Sequence, residues 1–212
     1  MEKLAIFDID YTLTKKETSM ELYKYMVKHD KKLLRYLPSH IITGLFYTMK
    51  VYDASKTKER FLRFLAGTKE EELKILVKNF YRDQVASILY EDGIKAIKDF
   101  KKNGYKIYLI SASPEFYINE FYNIKEVDKV IGTKFNMDNG IFAPKVVGEN
   151  CKGEEKVRRL KEELKKDNIE VDYENSYMFS DSLSDLPLLK LVGKGYLINY
   201  KRNHELKILR WR

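Results

Sequence analysis

Asp8 and Asp10 stand one residue apart in KLAIFDIDYTLT, directly after the unbroken apolar run Leu4-Ala5-Ile6-Phe7. A run of that length reads as a strand buried on both faces. Where extended geometry continues, residues i and i+2 project to the same side, so both carboxylates point together at the mouth of a buried element. Close, poorly solvated carboxylates raise each other's pKa unless something positive sits between them. The plainer alternative is a turn that Asp10 caps while Thr12 bonds the backbone.

Two more apolar runs end in the same way. YLISAS ends on Ser111, Ala112 and Ser113, and YMFSDSLSD carries Ser180, Asp181, Ser182 and Asp185. All three polar stretches fall at the carboxyl ends of expected parallel strands, which in open α/β sheets share the ligand crevice. Helix capping is the competing role: Ser113 before Pro114 has the form of an N-cap with proline at the first helical position, and Asp181 or Ser182 suits the cap of the next helix. Capping does not explain why three strand ends converge on acids and hydroxyls.

The elements that must position these residues show a change of texture along the chain. From about residue 15 to 84 the pattern is helical, with Tyr23, Met26 and Val27 in one segment and Leu73, Leu76, Val77 and Phe80 in another. Thr68 and Glu71 have capping-box spacing before the latter. From Asp92 onward, short apolar strands (GYKIYLI, SYMF, GYLIN) alternate with helical patterns (DGIKAIKDFKK, SPEFYINEFY, EEKVRRLKEELKK, LSDLPLLKLV). This βα alternation predicts an α/β fold with a doubly wound, Rossmann-like parallel sheet. The first strand is expected in the same sheet, so residues 1–14 and 85–212 form the core and residues 15–84 an inserted helical cap domain. Asn139-Gly140 between apolar residues is a hairpin signal.

Composition narrows the setting. With 212 residues, 44% hydrophobic and 34% charged, the chain can bury one substantial core. The single cysteine, Cys151, cannot form an internal disulfide, and the chain starts directly on a strand pattern, which together predict a cytoplasmic protein. Cys151 has no histidine near it in sequence and reads as a small packed side chain, and His29, His40 and His204 lack ligand spacing. The stretch from Ile41 to Met49 falls short of the roughly 20 residues of a membrane span and is expected as a buried or interfacial helix. The formal charge of +8 favours anionic partners. Its lysines interleave with acids at helical spacing and no nucleic-acid-binding pattern accompanies them, so a small anionic substrate is expected rather than nucleic acid.

The pieces FDIDYTLT, ISASPEF, GENCKGEEKVRRL and FSDSLSDLPLL together resemble the haloacid dehalogenase-like phosphohydrolases, in the phosphoserine-phosphatase-like branch with a helical cap after the first strand. The resemblance covers nearly the whole chain. Tyr11 departs from it, since relatives carry a small residue such as glycine or serine there, and Ser180-Asp181 replaces the commoner glycine-aspartate. The resemblance implies an Mg²⁺-dependent phosphomonoesterase in which Asp8 is the nucleophile, forming an aspartyl-phosphate. Asp10 would protonate the leaving oxygen and then deprotonate the hydrolytic water. Asp8, the backbone carbonyl of Asp10 and Asp181, with waters, would hold Mg²⁺, and Asp185 would support the metal or the lysine. Ser111 and the amide of Ala112, near the following helix start, would hold a phosphate oxygen.

The lysine motif fits either Lys152 or Lys156. Helical spacing favours Lys156, because Val157, Leu160 and Leu164 mark an inward face and Lys156 lies at its edge one turn before Leu160. A lysine there is unfavourable against the helix dipole, and a phosphate with nearby Asp8 and Asp185 would compensate. Glu17 matches the position at which phosphoserine phosphatases carry a glutamate for the substrate ammonium, and Arg60 is a weaker match for their carboxylate-binding arginine; Glu17 alternatively starts the first cap helix and Arg60 alternatively faces solvent. A phosphotransferase or mutase would use the same aspartyl-phosphate, whereas a binding protein without turnover has no need of the complete set of acids, serine and lysine.

Overall fold

The computed structural model describes residues 1–212. Its strands, in chain order, are β1 (Leu4–Phe7), β2 (Lys106–Pro114), β3 (Lys129–Thr133), β4 (Phe135–Asp138), β5 (Ile141–Val146), β6 (Tyr177–Ser180), β7 (Lys194–Ile198) and β8 (Lys207–Leu209). Its α-helices are α1 (Thr18–His29), α2 (Leu37–Thr48), α3 (Ala54–Phe61), α4 (Glu70–Phe80), α5 (Glu91–Lys102), α6 (Glu115–Ile118), α7 (Glu154–Lys166) and α8 (Leu186–Leu191). Six strands form one parallel sheet in the order β3-β2-β1-β6-β7-β8.

The period of two along β1 sorts the core. Ala5 and Phe7 join one apolar cluster with Ile97 of α5, and Leu4 and Ile6 join the other with Leu160 and Leu164 of α7 and Leu188 of α8. All four β1 residues are fully buried, as a strand covered by helices on both faces requires. Because β2 and β6 are the two neighbours of β1, the polar ends of these three strands lie side by side. Sheet order is thus what gathers residues 8–10, 111–113 and 180–185.

The helices α1–α4 fill the interval between β1 and β2. Asn139 (φ 49°) and Gly140 (φ 77°) make the turn of the β4–β5 hairpin, both left-handed as a two-residue hairpin turn demands. This hairpin bonds to the helical insertion: the Gly67 amide donates to the Phe142 carbonyl (3.1 Å), Phe142 N–H to Thr68 O (2.8 Å) and Glu70 N–H to Gly140 O (2.8 Å).

Those bonds correct one expectation. No capping box forms between Thr68 and Glu71; Lys69 is the N-cap residue of α4 and makes no side-chain cap bond. The hairpin backbone satisfies the Glu70 amide instead, so the side chain is not needed. Two strands, β3 and β8, fall outside the sequence reading. The stretch from Ile41 to Met49 does lie largely in a helix, α2, but it is not buried: Thr43 is its one buried residue. No helix is long and apolar enough to cross a membrane.

Gly193 lets the chain before β7 pass against the loop before β6. A Cβ there would lie 1.9 Å from the Glu174 carbonyl oxygen, while the Gly193 amide donates to Tyr173 O at 2.8 Å. Gly193→Ala must push the two segments apart, and we expect a loss of about 1–3 kcal/mol, measured as a lower midpoint in thermal unfolding; an unchanged midpoint would show that the close approach is dispensable.

Candidate active site

Asp8 follows β1 and is tied across to β6 by its amide, which donates to Phe179 O at 2.9 Å. Its carboxylate accepts from Lys156 Nζ at 2.7 Å and from Thr12 Oγ1 at 3.4 Å. Lys156 also donates to Asp185 Oδ2 at 2.7 Å, and only 1% of the residue is exposed. Burial pushes the Asp8 carboxyl upward against the pull of Lys156. Burial opposes the Lys156 ammonium, but the two carboxylates overcome it and hold its pKa above the ordinary lysine value. The ammonium sits in the first turn of α7, where the helix dipole disfavours a cation. Asp8 and Asp185 compensate. Ser180 Oγ donates to the same Asp185 oxygen at 2.8 Å.

Asp10 is positioned by the helical insertion as well as by the sheet. One carboxylate oxygen accepts from the Thr18 amide at 2.7 Å and the Thr18 hydroxyl at 2.6 Å, and the other accepts from Ser113 Oγ. Between the two acids, Ile9 joins the same apolar cluster as Ala5 and Phe7, so the alternation of strand geometry persists past β1. Ser113 therefore does not cap a helix. It lies in β2, which continues to Pro114, and the register of β2 against β3 shifts between Ile110 and Pro114. Such an irregularity re-aims side chains, and here the Ser113 hydroxyl meets Asp10. The same extension corrects the placing of Ala112: it is strand, and α6 after it is only one turn, so no long helix directs its dipole at that amide. Ser111 Oγ accepts from the Ser113 amide at 3.0 Å and is itself almost fully buried.

Thr12 connects two of the strand ends, because its hydroxyl accepts the Asp181 amide at 2.9 Å. The Asp181 carboxyl is pushed up to about 6 by burial and then by Asp185. Ser182 does cap the short turn that follows, its side chain accepting from the Ser184 amide. Tyr11 takes a φ of 57° with its ring 49% exposed. The turn after Asp10 thus holds a left-handed residue, a conformation that costs a tyrosine about 1–2 kcal/mol.

No three acidic, histidine or cysteine side chains come together as a ready-made metal cage. The donor set nevertheless fits Mg²⁺, which takes one or two carboxylates and keeps several waters: Asp8 and Asp181 line one cavity, and Asp181 is crowded by Asp185 with no cation bonded to it. Asp185 takes both Lys156 and Ser180 on Oδ2, which supports the lysine, and it lines the same cavity as Asp8 and Asp181.

These groups form the floor of a cavity of about 610 Å³ whose opposite wall is the helical insertion. Glu17 lines it while also capping α1, accepting from the Ser19 and Met20 amides at 3.1 and 2.7 Å. Burial, then Asp10, raises its carboxyl. Arg60 does not join the cavity; its guanidinium lies 4.8 Å from the centre of the Tyr52 ring. The reason is helical phase. Ala54, Thr57, Lys58 and Phe61 share one face of α3 and line the cavity, whereas Arg60 lies about 200° round from Lys58. Lys58 is the cation that enters, donating to the Ala112 carbonyl and to Asn150 Oδ1. Burial lowers its pKa to about 8. The i, i+3, i+4, i+7 spacing in ASKTKERF was the available signal for it. Lys152 lines the cavity too, but exposed to solvent. Cys151 is fully buried, its thiol pushed up to about 11 by burial, which leaves it inert. Thr18, Lys58 and Asn150 carry no role in the sequence reading, and the bond of Lys58 to Asn150 joins residues 92 positions apart.

The chain is similar to known proteins over most of its length. A histidinol-phosphatase of Neisseria meningitidis serogroup C is 26% identical over 94% of this chain and 91% of its own. Phosphoserine phosphatase SerB1 of Mycobacterium tuberculosis is 23% identical over 92% of this chain and 64% of its own. A protein of unknown function from Bordetella pertussis Tohama I superposes with a TM-score of 0.89 at 20% identity, covering 99% of this chain and 98% of that one. A substrate-bound phosphoserine phosphatase superposes with a TM-score of 0.68 at 17% identity, over 98% and 93%. The model of the haloacid dehalogenase-like hydrolases matches residues 5–190, an interval that holds β1 from Ala5 on, the helical insertion and every floor residue of the cavity, and the chain belongs to that family.

Proposed function

We propose that the protein is a phosphomonoester hydrolase working through an aspartyl-phosphate on Asp8. The observation that carries this reading is the buried Lys156 ammonium, 2.7 Å from both Asp8 and Asp185, beside a second acid whose hydrogen bonds leave it facing the same cavity. A phosphoryl group in transfer spreads charge over its equatorial oxygens, and the floor supplies a fixed cation and hydroxyls to meet it. Asp8 attacks phosphorus as the ester oxygen departs, and Asp10 gives that oxygen its proton. Asp10 then takes a proton from water, whose oxygen attacks phosphorus and frees Asp8 and inorganic phosphate. Thr18 and Ser113 hold Asp10 for both transfers. Mg²⁺ held by Asp8, Asp181 and the Asp10 carbonyl would neutralise charge on the phosphate oxygens. Ser111 contributes a hydroxyl to the phosphate cradle.

The alternative, transfer of the phosphoryl group to a second substrate, uses the same Asp8 chemistry and differs in the acceptor. For the substrate, Glu17 in the cavity wall supports an amine-bearing phosphate, in line with the names of the two phosphatase relatives. Lys58 takes the place assigned to Arg60 as the cation on the cap side.

Three outcomes test these roles. The full chain should release inorganic phosphate from p-nitrophenyl phosphate with Mg²⁺ and not with EDTA. Asp8→Asn should abolish that release while remaining folded, and Lys156→Ala should reduce it by orders of magnitude with Lys152→Ala much milder; phosphate appearing only on an added acceptor alcohol would favour transfer. Glu17→Gln should erase the preference for phosphoethanolamine over the neutral glycerol phosphates, and an unchanged preference would remove Glu17 from substrate reading. The third concerns pH. The Lys58 ammonium is present below about 8 and lost above it, so kcat/KM for anionic substrates should fall on the alkaline side near pH 8, and Lys58→Met should lack that limb.

A further inference from the structure

The segment KKLLRYLPSHIITGLFYTMKVY, residues 31–52, contains four cations and no acid. Lys31, Lys32, Arg35 and Lys50 are all exposed, and no carboxylate lies within ion-pair distance of any of them. Within this segment α2 has two apolar faces. Leu37, His40, Ile41 and Gly44, spaced i, i+3, i+4, i+7, line the cavity. Ile42, Leu45 and Met49, spaced i, i+3, i+7, face away from it and are 51%, 55% and 61% exposed.

Both faces ask for the same kind of partner. On the inner side, Met20, Tyr23, Leu37, Ile41, Tyr47 and Phe61 present apolar surface opposite the acidic floor. A phosphate on the floor thus leaves the rest of its ester beside this apolar surface, with Glu17 and Lys58 as the charged groups on the same wall. On the outer side, the apolar face of α2 carries no charge of its own and is flanked along the chain by Lys31, Lys32 and Arg35 before it and Lys50 after it, a composition suited to a helix lying in a lipid interface with lysine and arginine at the headgroups. A second copy of the chain fits this face poorly. In a two-fold contact the same patch meets itself, and four cations would oppose four cations, against which the segment's ends offer only Asp30 and Asp53.

We propose that the cavity takes an amphiphilic phosphomonoester, its alkyl chain running between α1, α2 and α3, and that the outer face of α2 seats the protein on the anionic lipid surface presenting it. The substrate half rests on the phosphatase reading above; the docking half stands on the surface of α2 alone. The helix lies on the surface rather than across it, consistent with its twelve residues.

The test has two arms. In the first, kcat/KM is measured for n-alkyl phosphates from propyl to dodecyl below their micelle concentrations. We expect a rise of about three- to fourfold per methylene while the chain enters the cavity, and a flat profile in an enzyme that turns over p-nitrophenyl phosphate overturns the amphiphile while leaving the phosphatase reading intact. Absence of turnover on every ester sinks the phosphatase reading itself. In the second arm, the protein should sediment with phosphatidylcholine vesicles containing phosphatidylglycerol and not with phosphatidylcholine alone. The double substitution Ile42→Glu, Leu45→Glu, outside the cavity, should lose sedimentation and keep p-nitrophenyl phosphate hydrolysis. Equal sedimentation of variant and wild type overturns the docking, as does a wild-type dimer in light scattering that the double substitution dissolves.

Discussion

A buried lysine ammonium cannot persist without compensation, and that constraint organises the catalytic end of this sheet. Lys156 is taken out of water almost completely, at a desolvation cost of several kcal/mol, and two carboxylates at 2.7 Å are what keep it charged. Those carboxylates come from the ends of β1 and from the turn after β6, while the lysine comes from α7. The triad therefore fixes the end of the sheet against the helix that covers one face. Removing either acid strands a charge; removing the lysine leaves two acids facing each other. Thr12 and Ser180 extend the network by holding Asp181 through its amide and Asp185 through its carboxylate.

The second acid is governed differently. Asp10 is not paired with a cation but held by donors, two of them from Thr18 at the start of α1 and one from Ser113 in β2. Its orientation thus depends on how the helical insertion sits on the sheet. The Tyr117 hydroxyl, 3.1 Å from Thr18 Oγ and 2.8 Å from Ser19 Oγ, braces the same junction from the core side. Lys58 forms a second tie, from α3 to the Ala112 carbonyl and Asn150. The nucleophile in the proposed reaction is set by the core alone, and the acid–base group by the joint between core and insertion.

That division also marks what the sequence could disclose. The polar strand ends were legible because a strand buried on both faces must be a continuous apolar run, and its end is visible as the first charge. The parallel sheet followed from the alternation of such runs with helical patterns. The helix phase that sends Lys58 rather than Arg60 into the cavity was legible as well, in the stripe 54, 57, 58, 61, but alignment to a familiar arginine drew attention to the wrong face. Other features were not local. Ser113 meets Asp10 across 103 positions, so its neighbour Pro114 made it look like a helix cap. Thr68 gives its carbonyl to Phe142, a partner no window of sequence contains. The exposure of α2 belongs to the same class: its composition matches a buried helix, and only the absence of a covering element tells otherwise.

The cavity joins two environments of opposite character, and this bears on how it discriminates. Phosphate recognition depends on charge held in a dry site, where each donor is worth more than in water. Recognition on the cap side depends on shape and apolar area, where a single methylene changes affinity only a fewfold. Almost any phosphomonoester can satisfy the floor, so selectivity among them must come from the wall built by α1, α2 and α3. Glu17 is the one acid of that wall, and its carboxylate already accepts two amides of α1. An ammonium would have to meet it from within the cavity, next to Met20, without breaking the cap. In the proposed reaction, Glu17 would read the substrate from the start of the insertion, beside the same helix whose first residue, Thr18, holds Asp10.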